Sequence, residues 1–105
     1  MEVESHTPKI EAPDTVKVGE TIDVKIVIGP HLNTVQYSIR WIELYFYKEG
    51  RAFNPILLGR VMFIPEYTEP EVMFRVKLRK SGLLYTIEYC NLYGLWEGRK
   101  EIKVE

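Results

Sequence analysis

The stretch Glu71-Val72-Met73-Phe74-Arg75-Val76-Lys77-Leu78-Arg79 decides the fold class. Val72, Phe74, Val76 and Leu78 alternate with Glu71, Met73, Arg75, Lys77 and Arg79, so one face is apolar and the other carries the charge. Successive side chains of an extended chain point to opposite faces, and an unbroken period of two describes a strand with one face buried.

The same period continues outward from this stretch. Upstream, Ile22, Val24, Ile26 and Ile28 alternate with Thr21, Asp23, Lys25 and Val27, and Gly29-Pro30 ends that strand. Tyr37 to Lys48 is rich in aromatic and β-branched residues, with Ile42, Leu44 and Phe46 on one side and Trp41, Glu43, Tyr45 and Tyr47 on the other. Its length predicts a twisted strand, in which Trp41 is read equally as core packing or as site lining. Ile56 to Phe63 predicts a further strand, with a bulge at Gly59. Downstream, Ser81-Gly82 is a turn before a strand from Leu83 to Asn91, Tyr93-Gly94 breaks the run, and a last strand lies near Lys100 to Val104. Lys9-Ile10-Glu11-Ala12 makes a short first strand closed by Pro13-Asp14. No segment has a 3.6-residue period. Residues 1–105 are therefore expected to form a single all-β domain, a seven-stranded antiparallel immunoglobulin-like β-sandwich.

Composition bounds the function. The chain has 105 residues with 14 Lys+Arg against 15 Asp+Glu, a net charge of −1, and no block of like charge. That balance gives no field to hold a polyanion, so nucleic-acid binding is not expected. The longest apolar runs, such as Pro55-Ile56-Leu57-Leu58, fall far short of a membrane span. The acidic start Met1-Glu2-Val3-Glu4 is unlike a signal peptide, and a cytoplasmic location is expected.

Few side chains can bind a transition metal or act as a nucleophile: His6, His31, Cys90 and the carboxylates. The single cysteine cannot form an internal disulfide, which leaves Cys90 as a buried apolar filler, a reactive thiol or a metal ligand. His6 and His31 both fall in segments read as loops, and Cys90 ends a strand, so a sandwich can bring all three to one end. Their spacing matches no local metal motif.

Three stretches in order resemble the iron domain of the desulfoferrodoxins and neelaredoxins, the superoxide reductases. Glu4-Ser5-His6-Thr7-Pro8 is similar to the family's Glu-Lys-His-x-Pro. His31-Leu32-Asn33 followed by Gln36-Tyr37-Ser38-Ile39-Arg40-Trp41-Ile42 is similar to His-Pro-Asn followed by Glu-His-His-Ile-Arg-Trp-Ile. Cys90-Asn91-Leu92-Tyr93-Gly94-Leu95-Trp96 is similar to Cys-Asn-x-His-Gly-Leu-Trp.

The family holds a mononuclear non-haem iron with four imidazoles and an axial thiolate, and the resemblance implies His6, His31 and Cys90 as three of those five ligands. Tyr37 and Tyr93 stand at the other two ligand positions, and Ser5 replaces the lysine that attracts the anion. Glu4 matches the carboxylate that can cap the oxidised metal. The implied activity is reduction of superoxide to hydrogen peroxide, with electrons from a rubredoxin-like donor, by a chain that forms a homo-oligomer. A phenol must lose a proton to coordinate, so two tyrosine ligands favour ferric iron and slow turnover. If the tyrosines only pack, three ligands remain, which suit zinc or no metal at all. The alternative is a non-catalytic, metal-free descendant that serves as a binding or assembly module.

Overall fold

The computed structural model describes residues 2–105. Eight strands follow a short helix: α1 Glu2–His6, β1 Lys9–Glu11, β2 Thr15–Val16, β3 Thr21–Val27, β4 Ile39–Lys48, β5 Ile56–Met62, β6 Glu71–Lys77, β7 Gly82–Cys90 and β8 Gly94–Val104. A three-stranded sheet in the order β1-β3-β6 packs on a five-stranded sheet in the order β2-β8-β7-β4-β5. The sandwich expected from the alternation is present. The strand count is corrected from seven to eight, because the chain crosses between sheets at Pro13-Asp14 and adds β2 parallel to the end of β8.

The alternation works as expected in the core. Val24 and Ile26 of β3 face Ile42 and Leu44 of β4 and Leu84 of β7, all fully buried. Burying each such side chain is worth roughly 1.5–3 kcal/mol, and this layer holds the sheets together. A bulge lies where β4 meets β5, since Leu44 pairs with Gly59 but Tyr45 pairs with Leu57. Gly59 is required there, because a Cβ would stand 2.4 Å from the Phe74 ring of the facing sheet.

Two elements differ from the expected ones. The last strand begins at Gly94 rather than near Lys100 and pairs with β7 from Gly94 to Ile102. Leu95 to Arg99 hides this because Gly98, a poor strand former, lies where Pro8 crosses so closely that a Cβ would meet its carbonyl oxygen at 2.2 Å. His6 ends a helical turn instead of lying in a loop, with Thr7 N donating to Val3 O at 3.0 Å.

The outer face of the five-stranded sheet is aromatic. Trp41 is half-buried there, stacked on Tyr89 with ring centroids 5.8 Å apart and covered by the Arg60 guanidinium. It therefore belongs neither to the core nor to the site. Tyr45 and Tyr85 continue the stripe, and Tyr85 donates to Glu97, which pushes the phenol up to about 12.

Candidate metal centre

Three unconnected elements meet at one end of the sandwich. His6 is the last residue of α1, His31 lies in the β3–β4 connection and Cys90 is the last residue of β7. One donor atom from each lies within 4.8 Å of the others. Nε2 of His31 is 3.0 Å from Nε2 of His6 and 3.6 Å from Sγ of Cys90. His6 and Cys90 are fully buried.

Local sequence sets each position. Gly29 carries φ 126°, and a Cβ on it would lie 2.8 Å from the His31 backbone nitrogen, so only glycine lets the chain turn back here. Asn33 anchors the same loop by accepting from Glu66 N and donating to Thr68 O. Cys90 points inward because it shares the buried face of β7 with Leu84, Thr86 and Glu88.

Hydrogen bonding prepares the imidazoles. Nδ1 of His31 lies 2.6 Å from the Leu32 carbonyl oxygen, which can only accept, so Nδ1 carries the proton and Nε2 of the neutral ring presents a lone pair. The His31 pKa is lowered, mainly by burial and further by the neighbouring His6, against the opposing effect of the Leu32 carbonyl. The neutral ring is the ligating form. Nδ1 of His6 lies 3.0 Å from the Ser5 hydroxyl, an outer partner of the kind that orients metal-binding histidines.

Tyr37 and Tyr93 complete the cluster. The Tyr37 hydroxyl is 3.5 Å from Nε2 of His6, and its ring centroid is 4.6 Å from that of His31. Tyr93 is half-exposed and meets His6 through its ring, with centroids 5.3 Å apart. Trp96 stacks on the other side of His6 at 5.1 Å. Glu4 is exposed on α1, and its carboxylate has no hydrogen bond or ion pair among the described residues. Two nitrogens, a sulfur and a nearby phenol oxygen converge in a part-buried site, and such a donor set suits a transition metal such as iron.

Two further residues near the site were given no role by the sequence. Asn91 ties the Tyr37 segment to the Cys90 strand: its Oδ1 accepts from Ser38 N at 2.9 Å and its Nδ2 donates to Gln36 O at 2.8 Å. Glu88, two residues before Cys90, is fully buried with neither carboxyl oxygen hydrogen-bonded. Its inward direction was readable from the period of two in β7, whereas Asn91's partners are distant in sequence.

The comparisons with known proteins point one way. The family model described as desulfoferrodoxin matches residues 1–99. A superoxide reductase of Pyrococcus abyssi is 42% identical over 106 residues, covering 95% of this chain and 89% of that protein. A neelaredoxin of Megalodesulfovibrio gigas is 32% identical, covering 97% and 89%. A solved superoxide reductase (neelaredoxin) of Ignicoccus hospitalis superposes with a TM-score of 0.94 at 65% identity, covering 95% of this chain and 81% of that one.

Proposed function

The chain belongs to the desulfoferrodoxin family, and from that premise we propose a superoxide-reductase-like oxidoreductase that holds one mononuclear iron through His6, His31 and Cys90. Residues 1–105 act as one domain in a cytoplasmic setting, with a rubredoxin-like protein as electron donor. The convergence of one donor atom from each of His6, His31 and Cys90 carries this reading. The reaction takes one superoxide, one electron and two protons to one hydrogen peroxide. Iron held by His6, His31 and Cys90 would supply the electron, and the Cys90 thiolate would increase its readiness to give it.

The chain's own residues account for an altered centre. His31 keeps its Nε2 lone pair through the Leu32 contact, and Ser5 orients His6. Ser5 stands where the family pattern has a lysine, so no ammonium on that segment draws the anion in, and capture is slower. Glu4 would be the carboxylate that caps the oxidised metal, as the family pattern implies. Reduced protein loaded with iron should consume superoxide and release an equal amount of peroxide without oxygen. Cys90→Ser should lose that activity.

A second reading has its own support. His6, His31, Tyr37 and Tyr93 pack ring against ring, with centroids between 4.6 and 6.2 Å apart, a cluster that can close the site with no metal. A non-catalytic assembly module follows if the protein takes up no iron and consumes no superoxide.

The aromatic outer sheet face is assigned to a second copy of the chain. Two ion pairs lie within the face, Arg60 with Glu43 and Arg99 with Glu97, so most of its charge is compensated there. An apolar face of this kind suits an isologous contact with itself.

A further inference from the structure

Resting on the proposed iron site, we infer that Tyr37 is a fourth ligand, binding through its phenolate oxygen, so that the centre is a two-histidine, one-cysteine, one-tyrosine set. Two donor separations carry this, within a group whose His6, His31 and Cys90 donors lie within 4.8 Å of one another. For metal–donor bonds of about 2.0–2.3 Å, a four-coordinate set puts nitrogen and oxygen donors about 3.4 Å apart and nitrogen and sulfur about 3.6 Å apart. The Tyr37 hydroxyl lies 3.5 Å from Nε2 of His6, and Sγ of Cys90 lies 3.6 Å from Nε2 of His31. The two imidazole nitrogens, at 3.0 Å, are slightly closer.

The phenol is held in place by its backbone. Tyr37 N donates to the Thr34 carbonyl and hydroxyl oxygens at 3.2 and 3.0 Å, and Thr34 N donates back to Tyr37 O at 3.0 Å. The Asn91 side chain then ties Gln36 and Ser38, on either side of Tyr37, to the residue following Cys90. The phenol and the thiol are thus fixed on one framework, as a ligand set requires. Tyr93, half-exposed and in contact with His6 through its ring, is the tyrosine that does not bind.

Coordination releases the phenol proton to solvent and leaves a second anionic donor beside the thiolate. Two anions stabilise ferric over ferrous iron, so the centre has a lower reduction potential than it would with Phe at this position. The test is visible absorption and resonance Raman spectroscopy of iron-loaded, oxidised protein, with iron content measured alongside. Wild type should show phenolate-to-iron charge transfer and tyrosinate vibrations. Tyr37→Phe should lose both, bind iron at least ~10-fold more weakly and have a higher reduction potential. Tyr93→Phe should keep them.

Iron-loaded wild type with a thiolate band but no tyrosinate vibrations overturns the inference without any variant, and so does a phenolate signature that survives in Tyr37→Phe. Wild type that takes up no iron overturns the functional proposal itself. Wild type that binds iron without phenolate overturns the Tyr37 assignment alone.

Discussion

A carboxyl group in an apolar core is kept neutral by the cost of burying charge, and Glu88 is such a group. Burial alone raises its pKa from 4.5 to about 8. Its strand neighbours across the sheet are Ile42 and Trp96, neither of which carries a charge. Below pH 4.5 both folded and unfolded states hold the proton. As pH rises from 4.5 to 8, the unfolded chain gives it up and the folded chain keeps it, so stability falls by up to about 5 kcal/mol and is flat above that range. Urea unfolding at pH 5 and pH 8.5 should show this loss in wild type and a smaller one in Glu88→Gln. An equal pH dependence in both proteins would remove the account of Glu88. At this scale the sequence supplied the residue types and their faces. That His6 and His31 meet in a T-shaped contact, and that a phenol oxygen lies beside them, depends on side-chain directions in α1 and the β3–β4 connection that no periodicity encodes.

The elements serve to bring distant residues together, and the β7 to β8 turn does this most directly. Its first residue, Asn91, makes two side-chain hydrogen bonds and one backbone bond to the segment entering β4. Intramolecular hydrogen bonds contribute roughly 0.5–1.5 kcal/mol each. Asn91→Ala should cost about 2 kcal/mol in chemical denaturation and weaken iron binding by displacing Tyr37 relative to Cys90. Lost stability with unchanged iron affinity would show that Asn91 holds the fold and not the site. Strands such as β3 and β6 were legible because one face is buried and the other solvated. The start of β8 was not, since Gly98 answers to the crossing of Pro8 and not to strand propensity.

The molecule has its candidate site at one end and an aromatic outer face on its five-stranded sheet. Met62 and Leu95 flank the Trp41–Tyr89 stack on that face and are 59% and 58% exposed. A contiguous apolar patch on a sheet marks an interaction surface. Sedimentation should show a homo-oligomer, and the paired changes Met62→Lys and Leu95→Lys, both at exposed positions, should shift it to single chains with the fold intact. Wild type that sediments as a single chain would refute this use of the face. The alternation put Trp41, Tyr45 and Tyr47 on the face opposite Ile42, Leu44 and Phe46, but the continuity of the surface through Tyr89 appears only once β4 and β7 are set in register. The central claim is that His6, His31 and Cys90 form a metal centre. Iron content after anaerobic reconstitution and desalting tests it most directly: a single iron per chain in wild type, with close to none in Cys90→Ser, is the predicted result, and iron-free wild type or an equally loaded Cys90→Ser protein would contradict it.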